Sequence, residues 1–555
     1  MSAARTPGPR FDDLGDFTAT WRTIPITLIA IGIGILSAFV ALALVRLIEV
    51  FTSLFFYQSW DGFFSPAGNT LGWLAALVPV SGGLIIGLMA RFGSDRIRGH
   101  GIPEALESIL IGGSRVEPKL AVLKPLSAAI SIGSGGPFGA EGPIIMTGGA
   151  FGSLIAQGFH LTSAERKTLL VAGAAGGMAA TFGTPLAATL LAVELLLFEW
   201  KPRSLVPVAL AAAAATAARN FLFDPMPLFP VAPHGDVIGV GVLLLAVACG
   251  LGAGLLSAAM TYSVYLFEDL FKRMPIHWMW WPAIGGLVIG LGGLVDPRAL
   301  GVGYDSIAAL LDGHMALSAI AILVAVKWTI WSFALGSGTS GGVLAPLLMI
   351  GGALGALEGH IFPLETPGFW ALISMGAILG GTMRSPLTGI LFAAEVTHDF
   401  PSLVPLSVAA VIAHGFTVLV LKRSILTEKV ARRGYHISRE YEIDPLEVLF
   451  VRDVVDLPDE AMPPPPHARP LPPELRAHLD DTLRAVTYRM AAADVTILPV
   501  LDDTGFFLGE VMLADILKAR RRHLEQEIRR ERVIPIHRLL PSFIRPSANG
   551  DRHDA

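Results

Sequence analysis

The chain has 555 residues, 53% hydrophobic and 16% charged, with 60 glycines and a net charge of −5, and its mean hydropathy is +0.60. That composition excludes a soluble globular protein and places the chain among polytopic membrane proteins. The single cysteine, Cys249, lies in an apolar run and reads as a small buried residue, not as a redox centre.

Residues 1–20 are polar and hold Arg5 and Arg10, so no cleavable signal is visible, and the stretch Ile26–Val45 reads as a retained first helix. Arg91, Arg96 and Arg98 follow a later apolar stretch. Lys422, Arg423, Lys429, Arg432 and Arg433 follow the last one, and by the positive-inside rule both ends are cytoplasmic. Apolar sequence fills roughly 25–420, punctuated at Phe92–Asp95, Asp224–Pro227 and Asp296–Arg298. Many of its stretches run only about 12 to 18 residues, too short to cross a bilayer squarely, which predicts half-helices or strong tilts. After Leu421 a polar linker (436–479) carries a β-like run, Val448–Val451, and a Pro-rich spacer, Pro458–Pro473. Residues 480–531 read as helix, strand, strand, helix, with the first strand of that domain at 448–455. The tail at 532–555 follows a helix that alternates basic and acidic residues and reads as a solvated face.

A block beginning at Lys124 recurs two hundred residues on. Lys124 maps to Lys327, Gly133-Ser134-Gly135 to Gly336-Ser337-Gly338, and Pro143 to Pro346. From Pro143 and from Pro346, PIIMTGGAFGSL faces PLLMIGGALGAL, and the shared residues are mostly helix breakers and small residues. Gly99-His100-Gly101 pairs in the same way with Gly301-Val302-Gly303, and Pro185 and Glu194 with Pro386 and Glu395. This internal duplication divides the membrane domain (21–435) into repeats of about 25–222 and 236–433. Unwound backbone survives in a bilayer only where protein buries it or it lines a polar cavity, so paired breakers point to a transport site near the midplane.

Glu141, in Gly139-Ala140-Glu141-Gly142-Pro143, stands where the second repeat has Leu344. A carboxylate at membrane depth costs about 2.5 to 3.5 kcal/mol on insertion scales, so something must offset it. Helix-start N–H groups attract anions, and a site that holds this carboxylate also suits a small anion when the carboxylate is protonated or displaced. The alternative is that Glu141 caps its own helix. Glu194 and Glu395 hold the same position in both halves, which favours a structural role at helix ends. Lys124 and Lys327 take the same reading, with a contribution to positive potential as the second option.

Gly99-His100-Gly101-Ile102-Pro103, Gly139-Ala140-Glu141-Gly142-Pro143 and Gly342-Val343-Leu344-Ala345-Pro346, in that order, resemble the three filter motifs of the CLC chloride channels and chloride/proton exchangers. The resemblance covers about residues 20–435. It implies an all-α polytopic membrane protein with an inverted repeat of broken helices, forming a homodimer among membrane lipid with one anion pathway per subunit. The gate would be Glu141, and the anion site would be formed by His100, Gly101, Gly142, Val343, Leu344 and Leu426. Neither family hydroxyl is present: His100 stands for the usual serine and Leu426 for the usual tyrosine, while Leu344 replaces the aromatic of the third motif. A histidine still donates an N–H, but Leu426 donates nothing. In family exchangers an acid follows the position of Glu194, and here that residue is Leu195, which tilts the expectation toward a passive channel gated by voltage or pH over a chloride/proton antiporter. Glu199 is the candidate for another proton route.

The C-terminal pattern resembles a single CBS domain, a small α/β unit. Leu498-Pro499-Val500, Asp502-Asp503-Thr504-Gly505 and the run from Gly509 to Asp515 match its last strand-turn-strand-helix. Asp515 would bind a ribose, but Met512 replaces the usual hydroxyl residue, so an adenine nucleotide is the one cofactor in view and dimer stabilisation the stronger expectation. No metal or nucleic acid is implied. The expected location is the plasma (inner) membrane, with the C-terminal domain in the cytoplasm. An intramembrane enzyme is disfavoured: no H-E-x-x-H occurs and no nucleophile pair stands out in the apolar segments.

Overall fold

Prolines set many of the helix starts. Pro118, Pro185, Pro202, Pro367 and Pro386 each occupy the first helical position, where a missing N–H costs nothing and φ is already helical. A computed structural model describes residues 19 and 21–530, except 61, 63–64, 111, 224–225, 232–237, 435–445, 447–448, 456–471, 473–474 and 503–505. The expected N-terminal segment, most of the Pro-rich spacer, the Asp503–Gly505 turn and the tail from 532 lie outside the described residues. Two compact units divide the chain, one of them Phe17–Arg439 and the other containing Glu440–Ala555.

In the membrane unit the first repeat supplies α1 (Thr23–Thr52), α2 (Val78–Phe92), α3 (Ile102–Leu110), α4 (Pro118–Gly133), α5 (Glu141–Gln157), α6 (Ser163–Phe182), α7 (Pro185–Leu191) and α8 (Pro202–Leu222). The second repeat answers with α9 (Val240–Arg273), α10 (Trp281–Val295), α11 (Tyr304–Leu311), α12 (Leu317–Gly336), α13 (Leu344–Gly359), α14 (Pro367–Met383), α15 (Pro386–Thr397) and α16 (Leu403–Val420), and α17 (Ile425–Ala431) closes the unit. Packing repeats as well. α1 lies on α4, α6 and α8, and α9 lies on α12, α14 and α16; across the halves α2 meets α10, α5 meets α13, and α7 meets α15. Elements that touch their own repeat mates lie on a pseudo-two-fold axis. Among the described residues seven helical stretches are long and apolar enough to cross a membrane. The chain is thus a multi-pass integral membrane protein, and α3, α5, α7, α11, α13, α15 and α17 are the short pieces anticipated from the interrupted apolar pattern.

Two reciprocal devices join the halves. Glu395, on α15, accepts the N–H groups of Leu186 (3.0 Å) and Ala187 (2.8 Å) at the start of α7. Glu194, just past α7, accepts those of Leu387 (3.2 Å) and Thr388 (2.8 Å) at the start of α15, and also the Thr388 hydroxyl (2.6 Å). Each carboxylate therefore satisfies orphan donors of the other repeat's Pro-led helix and meets the positive end of its dipole. The lysines act likewise on carbonyls. Lys124 Nζ donates to Ile97 (2.8 Å) and Gly99 (2.7 Å), and Lys327 Nζ to Ala299 and Gly301 (both 2.9 Å).

The second unit holds α18 (Leu483–Ala493), β1 (Ile497–Leu501), β2 (Phe507–Met512) and α19 (Leu513–Arg530), with β1 and β2 antiparallel. Leu483, Val486, Met490, Leu498, Val500, Val511 and Ile516 are buried in its core. Arg489 clamps Asp481 through two hydrogen bonds, of 2.5 and 2.9 Å. The strand expected at Val448–Val451 is not formed in its described part. Phe450 makes a lone bridge to Thr482, and Val451–Asp453 coils into a 3-10 turn because the Asp453 carboxylate accepts the Phe450 N–H at 2.8 Å.

Replacing Glu395 with Ala leaves two helix-start N–H groups without their acceptor. A loss of about 2 to 4 kcal/mol is expected, read as a lower unfolding midpoint by tryptophan fluorescence in mild detergent, with Glu395→Gln falling between Ala and the native protein.

Candidate anion pathway

The four breaker loops meet at one point. Gly139 N–H donates to Gly342 O at 3.2 Å and Gly342 N–H to Gly139 O at 2.8 Å, an antiparallel bridge between the starts of α5 and α13. Gly99 N–H reaches Thr339 O at 3.3 Å, and Gly301 N–H reaches Gly135 O at 3.1 Å. Only glycine permits these approaches. A Cβ at Gly142 would stand 1.9 Å from the His100 carbonyl oxygen, and one at Gly101 would stand 2.5 Å from that of Gly142.

Glu141 is the first residue of α5 and is 0% exposed. Its carboxylate lies over the junction: a Cβ at Gly139 would meet Glu141 Oε2 at 1.7 Å, and one at Gly342 would meet it at 2.9 Å. Neither oxygen has a hydrogen-bond partner of good geometry. The backbone N–H groups of Glu141 itself and of Ala345, in the first turn of α13, are near enough to attract it, as is Lys327. The carboxylate is thus a tethered anion where two helix N-termini converge.

His100 is 4% exposed, and its Nδ1 has no partner in the protein. Gly101 does not offer its N–H: Glu104 Oε2 accepts it at 2.8 Å, the N3 carboxylate reaching back to the N-cap of α3. The spacing Gly101-x-x-Glu104 carries that signal. Glu104 is held in turn by Lys429 of α17 at 2.8 Å. Val343 and Leu344 open α13 as N-cap and first residue, both buried. Leu426 is buried at the second position of α17, which packs on α3. Leu195 is buried in the π-helical turn Ala192–Leu197, and Glu199 forms ion pairs with Lys201 (3.5 Å) and Arg203 (4.0 Å).

The pairing of two broken-helix repeats around such a junction matches the voltage gated chloride channel family, whose model aligns with residues 82–418. The chain belongs to that CLC family. A putative chloride channel protein, ClcB-like, of Ralstonia nicotianae is 28% identical over 61% of this chain and 81% of its own length. The voltage-gated ClC-type chloride channel ClcB of Escherichia coli is 28% identical over 73% of this chain and 99% of its own. Among solved structures, a slow cyanobacterial Cl−/H+ antiporter superposes with a TM-score of 0.66 at 20% identity over 75% of this chain and 99% of that one. A CLC-type fluoride/proton antiporter gives a TM-score of 0.62 at 21% identity over 72% and 97%.

Within this CLC fold, sequence reasoning missed Glu104, whose carboxylate occupies the Gly101 N–H. Tyr304, the first residue of α11, packs its ring against Phe229 at 5.7 Å and Phe182 at 6.5 Å. Gly142→Ala is expected to abolish monodisperse protein on size exclusion. Gly32→Ala is the control, since a Cβ there meets nothing within 4 Å, and it leaves the elution profile unchanged.

Proposed function

We propose that this protein carries chloride across the membrane in exchange for protons, with Glu141 as the side chain for which anion and proton contend. The observation that carries the reading is a wholly buried carboxylate, unpaired by any conventional hydrogen bond, at the meeting of the α5 and α13 N-termini. An anion that displaces it takes over the same N–H groups, those of Leu344 and Ala345 among them. A proton that neutralises it removes its claim on them. The pathway's other contacts are assigned to Gly142, Val343 and the His100 ring, whose unpartnered Nδ1 stands in for a missing hydroxyl. The Gly101 N–H is left out because Glu104 holds it.

Exchange is favoured over passive conduction by the fold neighbours, which are a chloride/proton and a fluoride/proton antiporter. One observation favours the passive channel: Leu195 is buried and apolar where a relay acid would stand, and Glu199 is engaged with Lys201 and Arg203. A homodimer in the plasma (inner) membrane is the expected assembly.

For the C-terminal unit we infer a CBS-like role in holding the dimer together rather than in binding adenine nucleotide. Asp515 supports this: its carboxylate accepts the Met512 N–H at 3.3 Å and pairs with Lys518 at 3.1 Å, so its oxygens already cap α19. Truncation after Gly434 is expected to lower the dimer fraction at nanomolar protein in detergent while single subunits still take up chloride. Millimolar ATP is expected to leave the melting temperature of the full chain unchanged.

The deciding experiment is the reversal potential of the purified protein in planar bilayers under a chloride gradient, repeated with a pH gradient. Exchange shifts the potential with pH, whereas a passive channel holds it at the chloride Nernst value. Glu141→Gln is expected to give chloride flux that no longer responds to pH and moves no protons. Unaltered pH dependence in that variant removes Glu141 from the gate.

A further inference from the structure

α2 and α10 run antiparallel in close contact, so the end of one lies beside the start of the other. A Cβ at Gly83 would stand 2.3 Å from the Pro282 carbonyl oxygen and one at Gly87 would stand 2.1 Å from that of Met279, while Gly286 and Gly290 meet Pro79 and Ala76 in the same way. Gly72–Phe92 and Trp278–Val295 are both long and apolar enough to span a membrane. Their shared end, marked by Trp278, Trp280 and Trp281, is therefore at the level of the lipid headgroups.

An open recess of about 500 Å³ lies at that end, its lining including Arg91, Ser94, Asp95, Arg96, Glu117 and Trp278. Arg91 is exposed. Arg96 pairs with Glu117 at 3.4 Å, but both side chains are more than half exposed, and such a pair contributes little and rearranges readily. Trp278 is held by Arg98, whose guanidinium lies 4.7 Å from its ring centre and 5.7 Å from that of Trp281. The lining acids, Asp95 and Glu117, are matched by the lining arginines, and Arg98, Arg115 and Lys119 nearby in the chain tip the surroundings to positive.

What the recess lacks is an acceptor. His277 Nδ1 faces the Met279 N–H at 3.2 Å, and its Nε2 faces Arg91 Nη1 at 3.0 Å. A neutral imidazole has one acceptor nitrogen and a protonated one has none, whereas a guanidinium and a backbone N–H only donate. One donor is thus opposed by another, and an anionic oxygen beside Arg91 and His277 resolves the conflict. An apolar track leads away from the same point. Ile85, Leu88 and Phe92 form an exposed stripe along α2 that ends next to Arg91, with Phe92 80% exposed.

We propose that this recess binds an anionic phospholipid: Arg91, Arg96 and the His277 Nε2–H take the phosphate, and an acyl chain lies along Ile85, Leu88 and Phe92. Arginine forks suit phosphate oxygens, and basic residues at a membrane surface favour an anionic headgroup over a zwitterionic one. A soluble anion would use the charges but not the stripe, and this decides for a lipid.

The test is native mass spectrometry of the full chain, purified in detergent and titrated with dioleoylphosphatidylglycerol or dioleoylphosphatidylcholine. Phosphatidylglycerol is expected to be retained about tenfold more tightly. Arg91→Gln combined with Arg96→Gln is expected to abolish that preference, while Arg46→Gln, which removes an exposed arginine from α1, keeps it. Should the double variant not elute as folded protein, His277→Phe takes its place, with the preference expected to fall about threefold. Equal retention of the two lipids by the native protein overturns the proposal, as does a preference that survives these pocket substitutions. Displacement of phosphatidylglycerol by an equal concentration of glycerol phosphate marks a site for a soluble anion and overturns the lipid.

Discussion

Everything in the membrane unit depends on one constraint: a helix broken inside a bilayer exposes N–H and C=O groups that water cannot reach, and each unpaired one costs several kcal/mol. The chain meets that constraint twice over with the same parts. Lys124 and Lys327 each take two loop carbonyls, Glu194 and Glu395 each take two helix-start N–H groups, and Gly139 and Gly342 bond to each other. Buried charge is tolerated here because each charged group answers several orphan dipoles. The N–H groups left over, at the starts of α5 and α13, point into one small space, and a negative charge is what that space lacks. Glu141 provides it from within the chain.

Scaffold and site obey opposite rules about symmetry. The lysines, the reciprocal glutamates and the breaker glycines recur in both repeats, as parts straddling a two-fold axis should. The residues singled out for the proposed function do not recur: Glu141 corresponds to Leu344 and His100 to Val302. A symmetric pair of carboxylates at the junction would put two like charges in one low-dielectric site. In the proposed function, one carboxylate leaves the second helix start free for an anion.

The fold was readable because breakers are informative in apolar sequence. Glycines and prolines repeated at a fixed separation reveal the two halves, and equal placement of Glu194 and Glu395 after Pro185 and Pro386 marks them as structural. Glu141 was readable through its cost. Other features were not. Gly101 looks like a free donor until the capping carboxylate of Glu104 is placed three residues on, and a local cap then overrides the motif. Val448–Val451 has strand-like composition, but Asp453 stops the segment with a turn. The approach of the second breaker loop to the first, Gly301 N–H to Gly135 O, joins residues more than 160 apart and follows no local pattern.

The distribution of polar groups around Glu141 bears on how protons would reach it in the proposed exchange. Leu195 is buried in apolar surroundings and Glu199 pairs with Lys201 and Arg203, so among the described residues the position after Glu194 offers no acid on a route to Glu141. In the proposed exchange a proton that reaches Glu141 from the side of Leu195 would travel through water rather than through a side chain. Coupling then depends on how seldom that proton step is bypassed by an anion. Under the proposed exchange, wetting the region around Leu195 would speed the proton limb, whereas a Glu141 carboxylate held away from the junction would let the anion run uncoupled.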